Sequence, residues 1–338
     1  MNIVFWGTPD YAVPSLEALI DSGHKILAVV TQPDKRRGRG NKLCPSPVKI
    51  KAQELGLSII TTNSIQKDML NKNKIKDLNA DIYVVVAFGQ LLPLDILDHP
   101  PYGSWNSHGS LLPRWRGAGP IQWSILSGDK QTGIGIMLME EGLDTGPVLL
   151  EQKIDIDLHD NYSTLSKKLS LLSAETIVKA LIIIETAGIC TRDERLKLLD
   201  LRPQEDDKTK ITYARTCIKE DRRINWEQNP IKIHKQIMAF HPNAYTYYNE
   251  KILKIEVSEP LNLNDSQFKE DLALDKSQKE KPGYIIGTIN SKGVVVSCGE
   301  NAILIKKAKL EGKSTLEGNR LIQQLLNKNN ILASTNFS

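Results

Sequence analysis

Apolar runs at residues 3–6, 26–31, 82–88 and 103–106 are short and nearly unbroken, and between them lie segments of helical periodicity such as 13–21, 47–55 and 121–126. A short unbroken run suits a strand covered on both faces, and its alternation with amphipathic helices predicts an α/β unit on a mainly parallel, Rossmann-like sheet. Ligands of such sheets sit beyond the carboxyl ends of the strands. The segments that follow the four runs, at 7–10, 32–42, 89–93 and around Asn106 and His108, are therefore expected on one edge. Over 161–188, Leu165, Leu169, Leu172, Ile177, Ala180, Leu181 and Ile184 recur at helical spacing with Gly188 placed as a C-cap. That pattern predicts a long helix closing a front domain over 1–189.

Residues 190–211 are polar and lose the periodicity, so a surface linker is expected there. A helix at 231–240 and short strands at 245–248, 252–257, 283–290, 293–297 and 302–307, punctuated by Gly and Asn, predict a smaller β-barrel over 212–326. The polar stretch 261–281 reads as an insertion and 327–338 as a tail.

Composition narrows the class: 40% apolar and 25% charged residues are ordinary for a globular enzyme. Cys44, Cys190, Cys217 and Cys298 contain no Cys-x-x-Cys pair, which argues against a zinc site or a disulfide framework. No apolar run approaches the ~18 residues of a membrane span and no basic leader precedes the first strand, so a cytoplasmic protein without a membrane partner is expected. His234 and His241 lack ligand-spaced partners and read as packed or surface histidines, so no metal is expected. Dinucleotide, phosphate-loop and nucleophile-elbow fingerprints are missing from the sequence.

The net charge of +4 is unevenly spread: residues 210–338 hold 20 Lys and Arg against 14 Asp and Glu, which leaves the front slightly acidic. Within that front, Lys35, Arg36, Arg37, Arg39 and Lys42 crowd into eight residues. Such a run alone is most simply a solvated loop. Paired with a basic second domain, it points to a polyanion such as nucleic acid.

The densest chemistry is in Asn106-Ser-His108-Gly-Ser110-Leu-Leu-Pro113-Arg-Trp-Arg-Gly-Ala-Gly119, a Gly- and Pro-bearing loop that follows a strand. Two positions apart on extended backbone, Asn106 and His108 point the same way. Glu141-Gly-Leu-Asp144-Thr-Gly146 adds a carboxylate on a turn between apolar segments. Each residue alone could serve a turn or a backbone hydrogen bond. Together they supply an amide for an oxyanion, an imidazole for a proton and a carboxylate to orient it, with no Ser or Cys nucleophile attached. Direct acyl transfer through a tetrahedral intermediate is the chemistry suggested.

Asn106-x-His108-x-Ser110-Leu-Leu-Pro113 followed by Gly142-Leu-Asp144-Thr-Gly146 resembles the folate-dependent formyltransferase family. Phe5-Trp-Gly-Thr-Pro9, Gln32-Pro-Asp34, Lys42-Leu-Cys-Pro-Ser-Pro47, Val85-Val-Ala-Phe-Gly89, Lys219-Glu-Asp-Arg-Arg-Ile-Asn-Trp226 and Gly318-Asn-Arg320 extend the likeness over roughly 1–325, with 261–281 as its main departure. The resemblance implies transfer of a formyl group from 10-formyltetrahydrofolate to methionine esterified to initiator tRNA; nothing suggests a long interface helix, so a monomer is expected. It implies that Asn106, His108 and Asp144 are catalytic, and that Phe88, Gly89, Gln90, Leu91, Ser110, Leu111, Leu112 and Pro113 meet the folate. It implies further that Lys35, Arg36, Arg37, Arg39 and Lys42 meet the tRNA acceptor arm, and that the rear domain is an OB-like barrel. A formyltransferase for a small amine (glycinamide ribonucleotide or an amino sugar) and a catalytically silent nucleic-acid-binding protein are the alternatives.

Overall fold

In the computed structural model the first apolar run forms β1 (Asn2–Gly7), and the front sheet grows outward from it. The structure describes residues 1–37, 40–204, 209–263, 272–274 and 281–326. After β1 come α1 (Val13–Asp21), β2 (Lys25–Thr31), the short strands β3 (Lys35–Arg37) and β4 (Lys42–Cys44), α2 (Pro47–Glu54), β5 (Ile59–Thr61) and α3 (Met69–Asp77). Then follow β6 (Ile82–Val86), α4 (Leu94–Leu97), β7 (Ser104–His108), α5 (Pro120–Ser127), β8 (Gln131–Leu138), β9 (Val148–Asp155), α6 (Tyr162–Ala187) and α7 (Arg192–Leu198). The main sheet runs β5-β2-β1-β6-β7-β8-β9. Its pairings are parallel from β5 to β7 and antiparallel from β7 to β9.

From β1 the chain steps to β2 on one side and later to β6 on the other, so a crevice opens at the carboxyl ends of β1 and β6. Three loops are tied together there: Thr8 Oγ1 and Gln32 Nε2 both donate to the Phe88 carbonyl, at 3.0 and 2.9 Å. Beneath them Trp6, Tyr83, Val85, Phe88 and Leu92 form a buried cluster. Phe88 meets Trp6 edge-on with ring centroids 5.2 Å apart, a contact worth about 0.5–1.5 kcal/mol beyond its buried area.

The α/β expectation for the front holds, with differences at strand ends. The run expected to stay extended to 88 leaves the strand at Val86, because Ala87 and Gly89 turn through positive φ of 48° and 81°. The run expected to stop at 106 continues to His108, because β8 pairs antiparallel with it as far as His108 opposite Gly135. Within the stretch expected as a linker stands α7, opened by a capping box in which Thr191 and Glu194 satisfy each other's backbone.

Two compact units result: residues 1–120, 130–156 and 165–216, and residues 121–129, 157–164 and 217–338. The second contains α5, α8 (Pro230–Ala239), β10 (Tyr245–Tyr248), β11 (Lys251–Leu261), β12 (Leu272–Leu274), β13 (Ile285–Ile289), β14 (Gly293–Ser297), β15 (Ala302–Leu310), β16 (Thr315–Glu317) and α9 (Gly318–Leu325). Its sheet is antiparallel in the order β10-β11-β15-β14-β13-β12, with β16 on β15. The described pairings leave this path open at β10 and β12, so they establish an antiparallel sheet without establishing closure of the expected OB-like barrel. β11 runs to Leu261, farther than expected, carried past two register shifts by its pairing with β15. The stretch expected as an insertion supplies β12, which pairs with β13, while 264–271 and 275–280 lie outside the described residues, as does the expected tail. Among the described residues no helix is long and apolar enough to cross a membrane.

Candidate active site

β7 alternates across the sheet as a strand must. Ser107 faces α6, its hydroxyl 2.6 Å from that of Ser173, so Asn106 and His108 share the opposite face. The sequence places both in a loop. The structure puts them on the strand itself, where the ladder to β8 fixes their backbone.

His108 is 6% exposed, and its Nε2 lies 2.9 Å from the Trp115 carbonyl. A carbonyl only accepts, so Nε2 carries a proton, and it is Nδ1 that the ring turns to its other side. Nδ1 faces Asp144 Oδ2 at 3.6 Å. The gap is longer than a hydrogen bond, and a proton on Nδ1 makes the two groups an ion pair. Asp144 is held at φ +53°, and its Oδ2 accepts the Gly117 N–H at 2.7 Å. Gly146 closes the same turn where a Cβ would meet the Leu138 carbonyl.

The structure therefore brings His108 and Asp144 together. Asn106 stands two residues back along the same strand face, about 7 Å between Cα atoms. Its Nδ2 donates to Val85 O at 3.3 Å, which leaves its second proton, while its buried Oδ1 has no partner among the described residues. An amide with spare donor and acceptor beside an imidazole–carboxylate pair can hold an oxyanion while a proton moves.

The loop after β7 is tightly committed. Ser110 Oγ donates to Arg114 O at 2.6 Å, and the Arg114 guanidinium lies 4.4 Å from the Trp115 ring centroid. Leu112 is buried with Met137 and Val148, Leu111 packs against Gly133, and Pro113 is half-buried. Trp115 has φ +63°, a conformation costing a bulky residue about 1–3 kcal/mol, and its N–H is taken by Thr212 Oγ1 at 2.9 Å.

The eight residues expected at the folate separate by exposure. Gly89 and Leu91, the latter 63% exposed, stand open at the crevice. Gln90 is spent on Ile65 N and Thr62 O, both at 2.9 Å. The Phe88 ring and the Leu112 side chain are core, the Ser110 hydroxyl is bonded within its own loop, and all three residues are buried.

The basic run expected as a loop is a two-stranded hairpin, β3 against β4, with Lys35 opposite Cys44, Arg36 opposite Leu43 and Arg37 opposite Lys42. Charges on both strands hide the alternation that marks a strand, although the intervening Gly38-Arg39-Gly40-Asn41 is a turn signal. Lys35 Nζ donates to Gln32 Oε1 at 2.6 Å, Arg36 Nη1 to Asn41 O at 3.1 Å, and Lys42 is exposed. Arg39 and the Arg37 side chain lie outside the described residues. A Lys49–Asp34 ion pair of 2.7 Å, half-buried, braces the hairpin's base.

Sequence reasoning missed Gln204 and Thr212. Both lie in or next to the expected linker and carry no motif, yet Gln204 Nε2 donates at 2.8 Å to both Asp144 O and Gly146 O. Among the described residues no group of three or more His, Cys, Asp or Glu is placed to hold a metal.

Residues 1–181 match the family described as Formyl transferase, and residues 217–326 match the one described as Formyl transferase, C-terminal domain. The methionyl-tRNA formyltransferase of Synechococcus sp. (strain CC9605) is 51% identical over 330 residues, covering 96% of this chain and 97% of that one. The methionyl-tRNA formyltransferase of Prochlorococcus marinus (strain MIT 9313) is 46% identical over 331 residues, covering 96% of each chain. Among solved structures, the N-formyltransferase from Helicobacter canadensis, in complex with folinic acid and dTDP-3-aminofucose, has a TM-score of 0.60 at 18% identity, covering 90% of this chain and 98% of that one. That last likeness shows a shared fold.

Proposed function

The chain belongs to the formyl transferase family, and on that premise we propose that it moves the formyl group of 10-formyltetrahydrofolate to the α-amino group of methionine esterified to initiator tRNA. The carrying observation is the His108–Asp144 pair at the carboxyl end of a parallel strand, in a chain alike over both units to enzymes named for that reaction. The basic hairpin and the cationic rear half favour a tRNA acceptor over a small amine, which needs neither.

The crevice suits a reduced folate: Gly89 and Leu91 leave an open apolar edge, and Asn106 offers a buried oxygen with no partner among the described residues. The amine nitrogen bonds to the formyl carbon, the bond from that carbon to folate N10 breaks, and the proton lost by the amine ends on N10. His108 Nδ1 is the station for that proton. Asp144 pairs with the ring while it is charged, and the Trp115 carbonyl keeps Nε2 occupied so that no second site competes. The free N–H of Asn106 meets the charge that builds on the formyl oxygen. Lys35, Arg36, Arg37, Arg39 and Lys42 would neutralise acceptor-stem phosphates. The reading implies a monomer working in the cytoplasm, where its two substrates meet.

Incubation with 10-formyltetrahydrofolate and methionyl-initiator tRNA, followed by mild deacylation, is expected to yield formylmethionine. Formyl label confined to small amines, or label on nothing, would overturn the assignment.

A further inference from the structure

Residues 182–216 fall between the two stretches matched to the family. The latter part of this segment is built into the front unit. Arg202 and Val148 exchange backbone hydrogen bonds of 2.9 Å in both directions, which lengthens the edge of β9. Gln204, 8% exposed, spends both Nε2 protons on Asp144 O and Gly146 O, at 2.8 Å each, and accepts the Arg116 Nε proton at 2.8 Å. Farther on, Thr212 Oγ1 accepts from Trp115 N at 2.9 Å, Thr212 O from Arg116 N at 2.9 Å, and Arg116 O from Ala214 N at 2.7 Å. The fit over Gly117 is close: with φ +116°, a Cβ there would stand 2.7 Å from Ala214 O.

Gln204 and Thr212, on either side of 205–208, which lie outside the described residues, grip both neighbours of the imidazole. One hand holds the turn that carries Asp144, and the other holds the loop that lends the Trp115 carbonyl to Nε2. Asp144 and Trp115 are both in left-handed backbone, at φ +53° and +63°, a state that persists only where surroundings over-determine it. The hydrogen bonds from 204 and 212 do so.

We infer that Gln204 and Thr212 are positioning residues for formyl transfer, acting through Asp144 and Trp115 respectively on His108. The inference rests on the reading of His108 and Asp144 as the proton-handling pair. Glutamine is the side chain the geometry requires at 204. Glutamate keeps the Arg116 contact but turns oxygen toward two carbonyls, and alanine leaves both carbonyls without a donor.

The test is single-turnover formylation by the full chain. Gln204→Ala and Gln204→Glu are expected to lower the rate about 10- to 100-fold, the scale of a misplacement near 1 Å, with KM for both substrates within about twofold. Thr212→Val should behave alike, and Thr212→Ser, which keeps the hydroxyl, should recover most of the loss. In an Asp144→Asn background, Gln204→Ala should cost less than about twofold, since the group it positions is already gone. A Gln204→Ala rate within about threefold of wild type, or the same fold loss in both backgrounds, would overturn the inference and mark Gln204 as packing. If Gln204→Ala fails to fold, Gln204→Glu carries the same comparison. Asp144→Asn at full turnover would instead sink the reading of the pair itself.

Discussion

Asp144→Asn isolates the charge opposite His108. The amide oxygen of asparagine can still accept the Gly117 N–H that now reaches Oδ2 at 2.7 Å, so the turn keeps its tie to the loop. What disappears is the negative charge 3.6 Å from Nδ1, for which 332/(εr) with an effective ε near 20 gives about 4.6 kcal/mol of attraction for a protonated ring. The amide dipole returns part of that. A net loss of about 2.7–4 kcal/mol is left, or roughly 10²–10³ in the rate at saturating folate and tRNA. Neither substrate is placed on this carboxylate, so both KM values should stay within about threefold. The assay is formylmethionine formation with enzyme in excess, which keeps slow variants measurable, alongside thermal unfolding to show that the fold is intact. A variant slowed less than about threefold, or one whose entire defect lies in KM, would refute the pairing of imidazole and carboxylate as the proton path.

Asn106→Ala removes the oxyanion donor and should lower kcat by roughly 10²–10³. It also removes the 3.3 Å hydrogen bond from Nδ2 to Val85 O, so stability is measured alongside, and kcat near wild type in steady-state assays would contradict the role. Replacing Lys35, Arg36 and Lys42 with alanine should raise the tRNA KM and flatten its salt dependence, with the folate KM unmoved; an unchanged salt slope would count against the hairpin as a phosphate contact. Burial pushes the His234 imidazole below its ordinary 6.5, and the neutral ring accepts from Ser258 at Nδ1 and donates from Nε2 to Leu158 O. Its contribution is therefore complete above about pH 6.5 and shrinks as acid protonates the unfolded chain first. Thermal melts between about pH 7 and 5 should fall more steeply for wild type than for His234→Gln, and parallel curves would exclude the effect.

Much of this molecule was written in local pattern. β1, β2, β6 and α6 announce themselves because apolar periodicity and burial are the same fact seen twice. Non-local pairing was less legible. Whether the strand reaches His108 depends on β8, some thirty residues onward, and nothing in the spacing of His108 and Asp144 states that their side chains end 3.6 Å apart. The hairpin of β3 and β4 was masked by charge, and α7 by polarity, although Thr191-x-x-Glu194 spelled its capping box. In α9, Leu321 and Leu325 alone are buried, too sparse a stripe to stand out. Gln204 had no signal at all: one glutamine in a polar stretch resembles any other until the carbonyls of Asp144 and Gly146 are found waiting on it.

The proposed transfer puts the formyl group in one pocket at the end of β7, between two nitrogens. It is met most directly by a crystal structure with a non-transferable formyl-folate analogue bound. The analogue's carbonyl oxygen is expected about 2.7–3.1 Å from Asn106 Nδ2, with its carbon on the side of the ring that bears His108 Nδ1. An analogue seated in the crevice with its formyl group turned away from Asn106 and His108, or bound elsewhere on the chain, would contradict it.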